Sequence, residues 1–111
     1  MAARIALAAM KQFGGPRLMT ALHYDYVDQM LERRVPYREA HLAHARRWML
    51  RGKLAFVGAL GDPPHGAFFA FEVDDPAEVE RFAAADPYLE AGLVRAWRAE
   101  PYNLALYRPL D

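Results

Sequence analysis

The chain has no cysteine and no serine, a single threonine (Thr20) and two lysines (Lys11 and Lys53). Lack of cysteine excludes disulfides, thiolate nucleophiles and the ordinary structural zinc sites, and fits a reducing cytoplasm, the expected location. Lack of serine, with so few threonines and lysines, removes the nucleophile from most covalent mechanisms. Any chemistry then falls to histidine, carboxylate, tyrosine and arginine acting as acids, bases or charge partners. An excess of either charge is also missing: 14 Lys+Arg against 14 Asp+Glu give a formal net charge of +0. That balance carries no electrostatic footprint for nucleic acid or an anionic membrane surface. The longest apolar run, Ile5 to Met10, is too short for a membrane span or a signal-peptide core. These absences leave a small-molecule ligand or a protein as partner.

What is present is the length and composition of one globular domain, 111 residues with 54% hydrophobic. The first eighteen residues carry Arg4, Lys11 and Arg17 with no acid and are punctuated by Gly14-Gly15-Pro16. They read as an N-terminal extension, residues 1–18, ahead of a domain over 19–111, with Met19 an expected alternative start. From Thr20 the pattern resolves into six elements. Leu22, Tyr24 and Tyr26 alternate with Ala21, His23 and Asp25, which predicts a first strand. Pro36 opens a helix that Gly52 closes. Lys53–Leu60 and Ala67–Val73 are strands joined by the turn Gly61-Asp62-Pro63-Pro64-His65-Gly66, a predicted hairpin. Asp75, Pro76 and Glu78 form a helix start of capping-box type, Asp86-Pro87 starts a further short turn that Gly92 ends, and Val94–Leu106 is a last strand interrupted by Pro101.

Strand, helix, strand, strand, helix, strand is the split pattern of a ferredoxin-like α+β sandwich, a βαββαβ chain whose four-stranded antiparallel sheet has both helices on one face. In the third strand Phe68 points to one face and Phe69 with Phe71 to the other. A sheet face left in water would alternate to polar residues, so the second face needs a cover. A second copy of the sheet, giving a homodimer with a shared interior, is the economical cover, and the N-terminal extension is the alternative.

Arg38-Glu39-Ala40-His41-Leu42, then Gly52-Lys53-Leu54, Gly58-Ala59-Leu60, Gly66 and the run Phe82 to Val94 containing Asp86-Pro87-Tyr88 resemble the YciI-like (YCII-related) family. The likeness spans about Thr20 to Leu106. The resemblance implies a dimeric α+β barrel of ferredoxin-like subunits, and an active site built from a helix-borne histidine and the aspartate of the Asp-Pro-Tyr motif, which fall on His41 and Asp86. Relatives in that family include a dehydrochlorinase of aromatic catabolism, and the barrel is similar to that of muconolactone isomerase. The implied theme is proton transfer on a small cyclic substrate, of lyase or isomerase type and without a cofactor.

Helical spacing bears on the two histidines independently. His41 shares its side with Ala45 and Trp48, at the border of the apolar stripe, whereas His44 is grouped with Arg47 and Arg51 and is expected to be solvated. The competing role for His41 is a partly buried histidine bonded to a backbone carbonyl. Asp86-Pro87 has the same form as Asp75-Pro76, and spacing alone does not rank them, because both read as caps followed by proline. A capping carboxylate stays compatible with orienting an imidazole. Arg38, one turn before His41, is a candidate to hold an anionic or carbonyl group, against a plain ion pair with a neighbouring acid. Tyr88 is a candidate ligand contact through its hydroxyl, against aromatic packing at the helix start. No metal is expected, since His41 and His44 have no third ligand signalled. The Pro63-Pro64 turn lacks the glycines, lysine and hydroxyl of a phosphate loop. Trp97 reads as a core or dimer contact. Two functions follow: an enzyme shuttling a proton with His41 and Asp86, or a dimeric small-molecule-binding module without turnover. Other dimeric α+β barrels are oxygenases, a third and more distant reading.

Overall fold

The computed structural model describes residues 14–108, and the N-terminal part of the expected extension, residues 1–13, lies outside them. The elements are strand β1 (Arg17–Tyr26), the one-turn helix α1 (Met30–Arg33), a 3₁₀ turn over Val35–Tyr37, helix α2 (Arg38–Leu50), strands β2 (Leu54–Leu60) and β3 (Gly66–Phe71), helix α3 (Pro76–Ala84), the short helix α4 (Pro87–Glu90) and strand β4 (Val94–Leu104). All sheet pairings are antiparallel, in the order β2-β3-β1-β4. This is an α+β chain of ferredoxin-like arrangement, with the first and third strands at the centre. No helix among the described residues is long and apolar enough to cross a membrane.

Some boundaries move for physical reasons. Pro36 sits in the 3₁₀ turn, where its missing N–H and fixed φ fit, and the α-helix itself begins at Arg38. Helix α1 was not expected, because four residues are too few to show a period. Strand β1 begins at Arg17, within the segment read as extension, and pairs Arg17 with Leu104 and Leu18 with Asn103. Strand β4 runs through Pro101 without a break, which an edge strand tolerates because one side of its ladder is unpaired. The Asp75 side chain accepts from the Ala77 N–H as expected, but Glu78 pairs with Lys53 instead of closing a capping box.

The core lies between the sheet and the helices. Leu22, Tyr24 and Tyr26 of β1 and Phe69 and Phe71 of β3 meet Trp48 of α2 and Val79 and Phe82 of α3. Phe82 is fully buried among Trp48, Phe69 and Phe71, with ring centroids 5.0–5.4 Å away. Helix α2 corrects the expectation for His44. Rather than being solvated, it is buried, stacked on Phe82 at 4.4 Å, with Nε2–H donating to the Phe82 carbonyl at 2.9 Å. Three residues of α-helix leave only about 60° between two side chains, so His41, His44, Ala45 and Trp48 form one buried stripe. His44 therefore has the carbonyl-bonded core role that was the alternative for His41.

The opposite sheet face carries a row of aromatic rings, Phe56, Phe68 and Tyr102, with centroids 6.1 and 5.9 Å apart. Phe56 remains 45% exposed. Beside the row, Glu100 pairs with His23 at 3.3 Å and with Arg98 at 3.0 Å. Trp97, in register with Tyr24 at the sheet edge, is 38% exposed.

Candidate active site

His41 reaches the sheet from the first turn of α2, and Asp86 begins α4 after α3 has returned the chain to the same end. Their side chains meet: His41 Nδ1 lies 2.8 Å from Asp86 Oδ1 and 3.0 Å from Oδ2, with both residues buried. Asp86 is also the cap foreseen for it, accepting the Tyr88 N–H at 2.9 Å through Oδ1. A third donor comes from the central strand, where the Tyr24 hydroxyl donates to Oδ2 at 2.7 Å. The carboxylate thus accepts from an imidazole, a phenol and a backbone amide, which compensates for its complete removal from water.

The imidazole is held on its faces and edge as well. Tyr88 stacks on it with centroids 3.8 Å apart and planes 4° from parallel, and Phe69 meets it edge-on at 6.3 Å. With a carboxylate as the acceptor at Nδ1, neutral His41 carries its proton there and its free lone pair on Nε2. Among the described residues nothing hydrogen-bonds Nε2. His41 forms part of the wall of a cleft of about 110 Å³, shared with Tyr26, Arg34, Arg38, Leu42, Val57 and neighbouring backbone of β2.

Arg38 is on this cleft wall and, among the described residues, has no ion pair with an acid. Tyr88 is not on the wall. It lies against the imidazole, and its buried hydroxyl has no partner among the described residues. A larger cleft of about 500 Å³ on the other side of Tyr26 is lined by Asp28, His65 and Arg95 among others, but Arg95 there is already bonded to Asp28 and the Tyr26 carbonyl. Among the described residues no three His, Asp or Glu side chains converge as a ligand set for a metal ion.

Tyr24, Tyr26 and Arg34 were missed from the sequence. Tyr24 was legible as an inward-facing tyrosine, whose buried hydroxyl requires an acceptor. Burial foremost, then the charge and hydrogen bond of Asp86, hold its phenol far above the usual tyrosine range. It therefore stays a donor to Asp86 throughout the neutral range. Burial, with Tyr88 and Asp86, also pushes Tyr26 up, and Arg34 and Arg38 partly oppose this.

No curated protein matches the chain. Among solved structures, the 5-chloro-2-hydroxyhydroquinone dehydrochlorinase of Burkholderia phenoliruptrix AC1100, in complex with 2,5-dihydroxybenzoquinone, is 25% identical with a TM-score of 0.64, over 77% of this chain and 93% of that one. Protein Atu4242 of Agrobacterium tumefaciens shares the fold, with a TM-score of 0.53 and 15% identity over 85% of this chain and 99% of that one. The sequence profile of the YCII-related domain matches residues 18–102, and the chain belongs to that family.

Proposed function

We propose that the protein is a small-molecule enzyme of lyase or isomerase type in which His41 Nε2 takes up and returns a proton and Asp86 supports the imidazolium that forms. One observation carries this reading: a buried carboxylate 2.8 Å from Nδ1, on a histidine that also borders a cleft. The carboxylate fixes the tautomer that leaves Nε2 basic, and its charge offsets the positive charge that arises on proton uptake. Tyr24 and Tyr88 position the pair, the former by donating to Oδ2 and the latter by stacking on the ring. Arg38 is assigned to substrate from its place on the cleft wall. The similarity to a dehydrochlorinase bound to 2,5-dihydroxybenzoquinone supports a small, oxygenated cyclic substrate.

The test uses that quinone in deuterium oxide, with proton exchange at its ring carbons followed by nuclear magnetic resonance. The protein is expected to accelerate exchange above the buffer rate, and His41→Gln to return it to that rate. Binding of the quinone without accelerated exchange would favour the non-catalytic binding module. Exchange that survives His41→Gln would remove the histidine from the chemistry.

We also propose that a second copy of the chain covers the Phe56–Phe68–Tyr102 face, as in a dimeric α+β barrel. Three adjacent aromatic rings on this sheet face, of which Phe56 remains 45% exposed, support it. Sedimentation equilibrium at micromolar concentration should give twice the chain mass. A stable monomer would overturn the dimer and with it the barrel.

A further inference from the structure

We infer that the cleft beside His41 selects ligands bearing an ionised oxygen (a phenolate, enolate or carboxylate), clamped between Arg34 and Arg38. This rests on the cleft being the ligand site, and adds to that reading a charge requirement and the residue Arg34. Both arginines line the cleft with His41 and Tyr26. They come from different local structures, Arg34 from the end of α1 and Arg38 from the start of α2, so the 3₁₀ turn between them is what brings two cations to one opening.

Their place is the informative feature: among the described residues Arg33, Arg46, Arg47, Arg51 and Arg81 also lack an ion pair, but Arg34 and Arg38 are the two arginines that line this cleft. Arg17, Arg95 and Arg98 are each paired with an acid, Glu72, Asp28 and Glu100 respectively. Among the described residues Arg34 and Arg38 have none, in a chain whose acids and bases are equal in number. The nearby carboxylate, Asp86, is buried and has its lone pairs taken by His41, Tyr24 and the Tyr88 amide. Two unpaired guanidiniums beside an opening repel a cation, and they lose hydration without return against a neutral ligand. An anionic oxygen gives each of them a charge-assisted hydrogen bond. The remainder of the wall, Leu42, Val57 and Ala67, is apolar and suits the carbon skeleton of the same ligand. Tyr26 completes the wall as a neutral phenol, able to donate to that oxygen. The clamp also serves the proposed chemistry. When Nε2 removes a proton from a carbon next to a carbonyl, the C–H electron pair moves onto the carbonyl oxygen, and the resulting enolate charge falls near the guanidiniums.

The probe pair is 4-nitrophenol, in buffer that ionises it, and its neutral methyl ether 4-nitroanisole. The two differ in charge and little in shape. Binding is read by absorbance and by tryptophan fluorescence. The phenolate should bind at least about tenfold more tightly than the ether, and Arg34→Gln and Arg38→Gln should each weaken phenolate binding by about tenfold while leaving the ether unchanged. Arg34 is half-buried and Arg38 exposed, so both variants should fold, which thermal unfolding checks. Equal affinity for the two probes, no phenolate binding at all, or a preference that survives both substitutions would each overturn the clamp. Failure of the deuterium exchange with the phenolate preference intact removes the proton-transfer reading alone, so the two proposals fail separately.

Discussion

Asp86→Asn is expected to lower the rate of ring-proton exchange by on the order of 10³-fold, within the range a positioned acid–base group contributes. The substitution keeps the carboxylate's shape. Its oxygen can still accept the Tyr88 N–H and the His41 Nδ1–H, and its amide can donate to the Tyr24 oxygen, now an acceptor. Asparagine also caps helices about as well as aspartate. What is lost is the negative charge beside the ring at the moment Nε2 gains a proton, so the imidazolium forms without its counter-ion. Urea denaturation should accordingly show a stability loss of no more than about 1–3 kcal/mol, from the displaced Tyr24 O–H, set beside the larger kinetic loss. If folding and exchange fall together, Asp86 is a helix cap and its proximity to His41 carries no catalytic weight.

Phe82→Ala is expected to cost about 3–5 kcal/mol of folding stability, the usual range for truncating a fully buried phenylalanine. Phe82 is 0% exposed and contacts rings from both layers, Phe69 and Phe71 on the sheet and Trp48 and His44 on α2. Those neighbours come from separate elements, so they cannot collapse together into the space left behind. The loss should appear as a lower urea midpoint with an unchanged slope. A cost under about 1 kcal/mol would mean that the core relaxes around the truncation and that the ring cluster is not the joint between helix and sheet.

The order of elements was legible because alternation in Leu22, Tyr24 and Tyr26 and the glycine and proline punctuation are local signals. The one-turn helix α1 was not, being shorter than any period. For the candidate site, the two dipeptides Asp75-Pro76 and Asp86-Pro87 were indistinguishable as caps, and both do cap. They separate only in three dimensions, where Asp75 is exposed and Asp86 is fully buried against His41. The aromatic and apolar residues following Asp86, Tyr88 and Leu89, were the available hint of burial. His44 misled because Arg47 and Arg51 share its side in sequence, whereas the buried stripe is wide enough to take both histidines. The Tyr24 bond joins residues 62 apart and the His41–Asp86 contact residues 45 apart, distances at which periodicity says nothing.

Those separations also describe where the candidate site stands in the architecture. His41 belongs to the first strand–helix–strand half of the chain and Asp86 to the second, and Tyr24, on the central strand of the first half, reaches across to the same carboxylate. The pair is therefore a seam, assembled only when the two halves close on each other. A partly folded chain with both helices formed would still present an ordinary surface histidine, without a carboxylate to set its tautomer or offset its charge. Reactivity at Nε2 is in this sense a property of the closed domain, so an intermediate that exposes the core does not also expose a competent base.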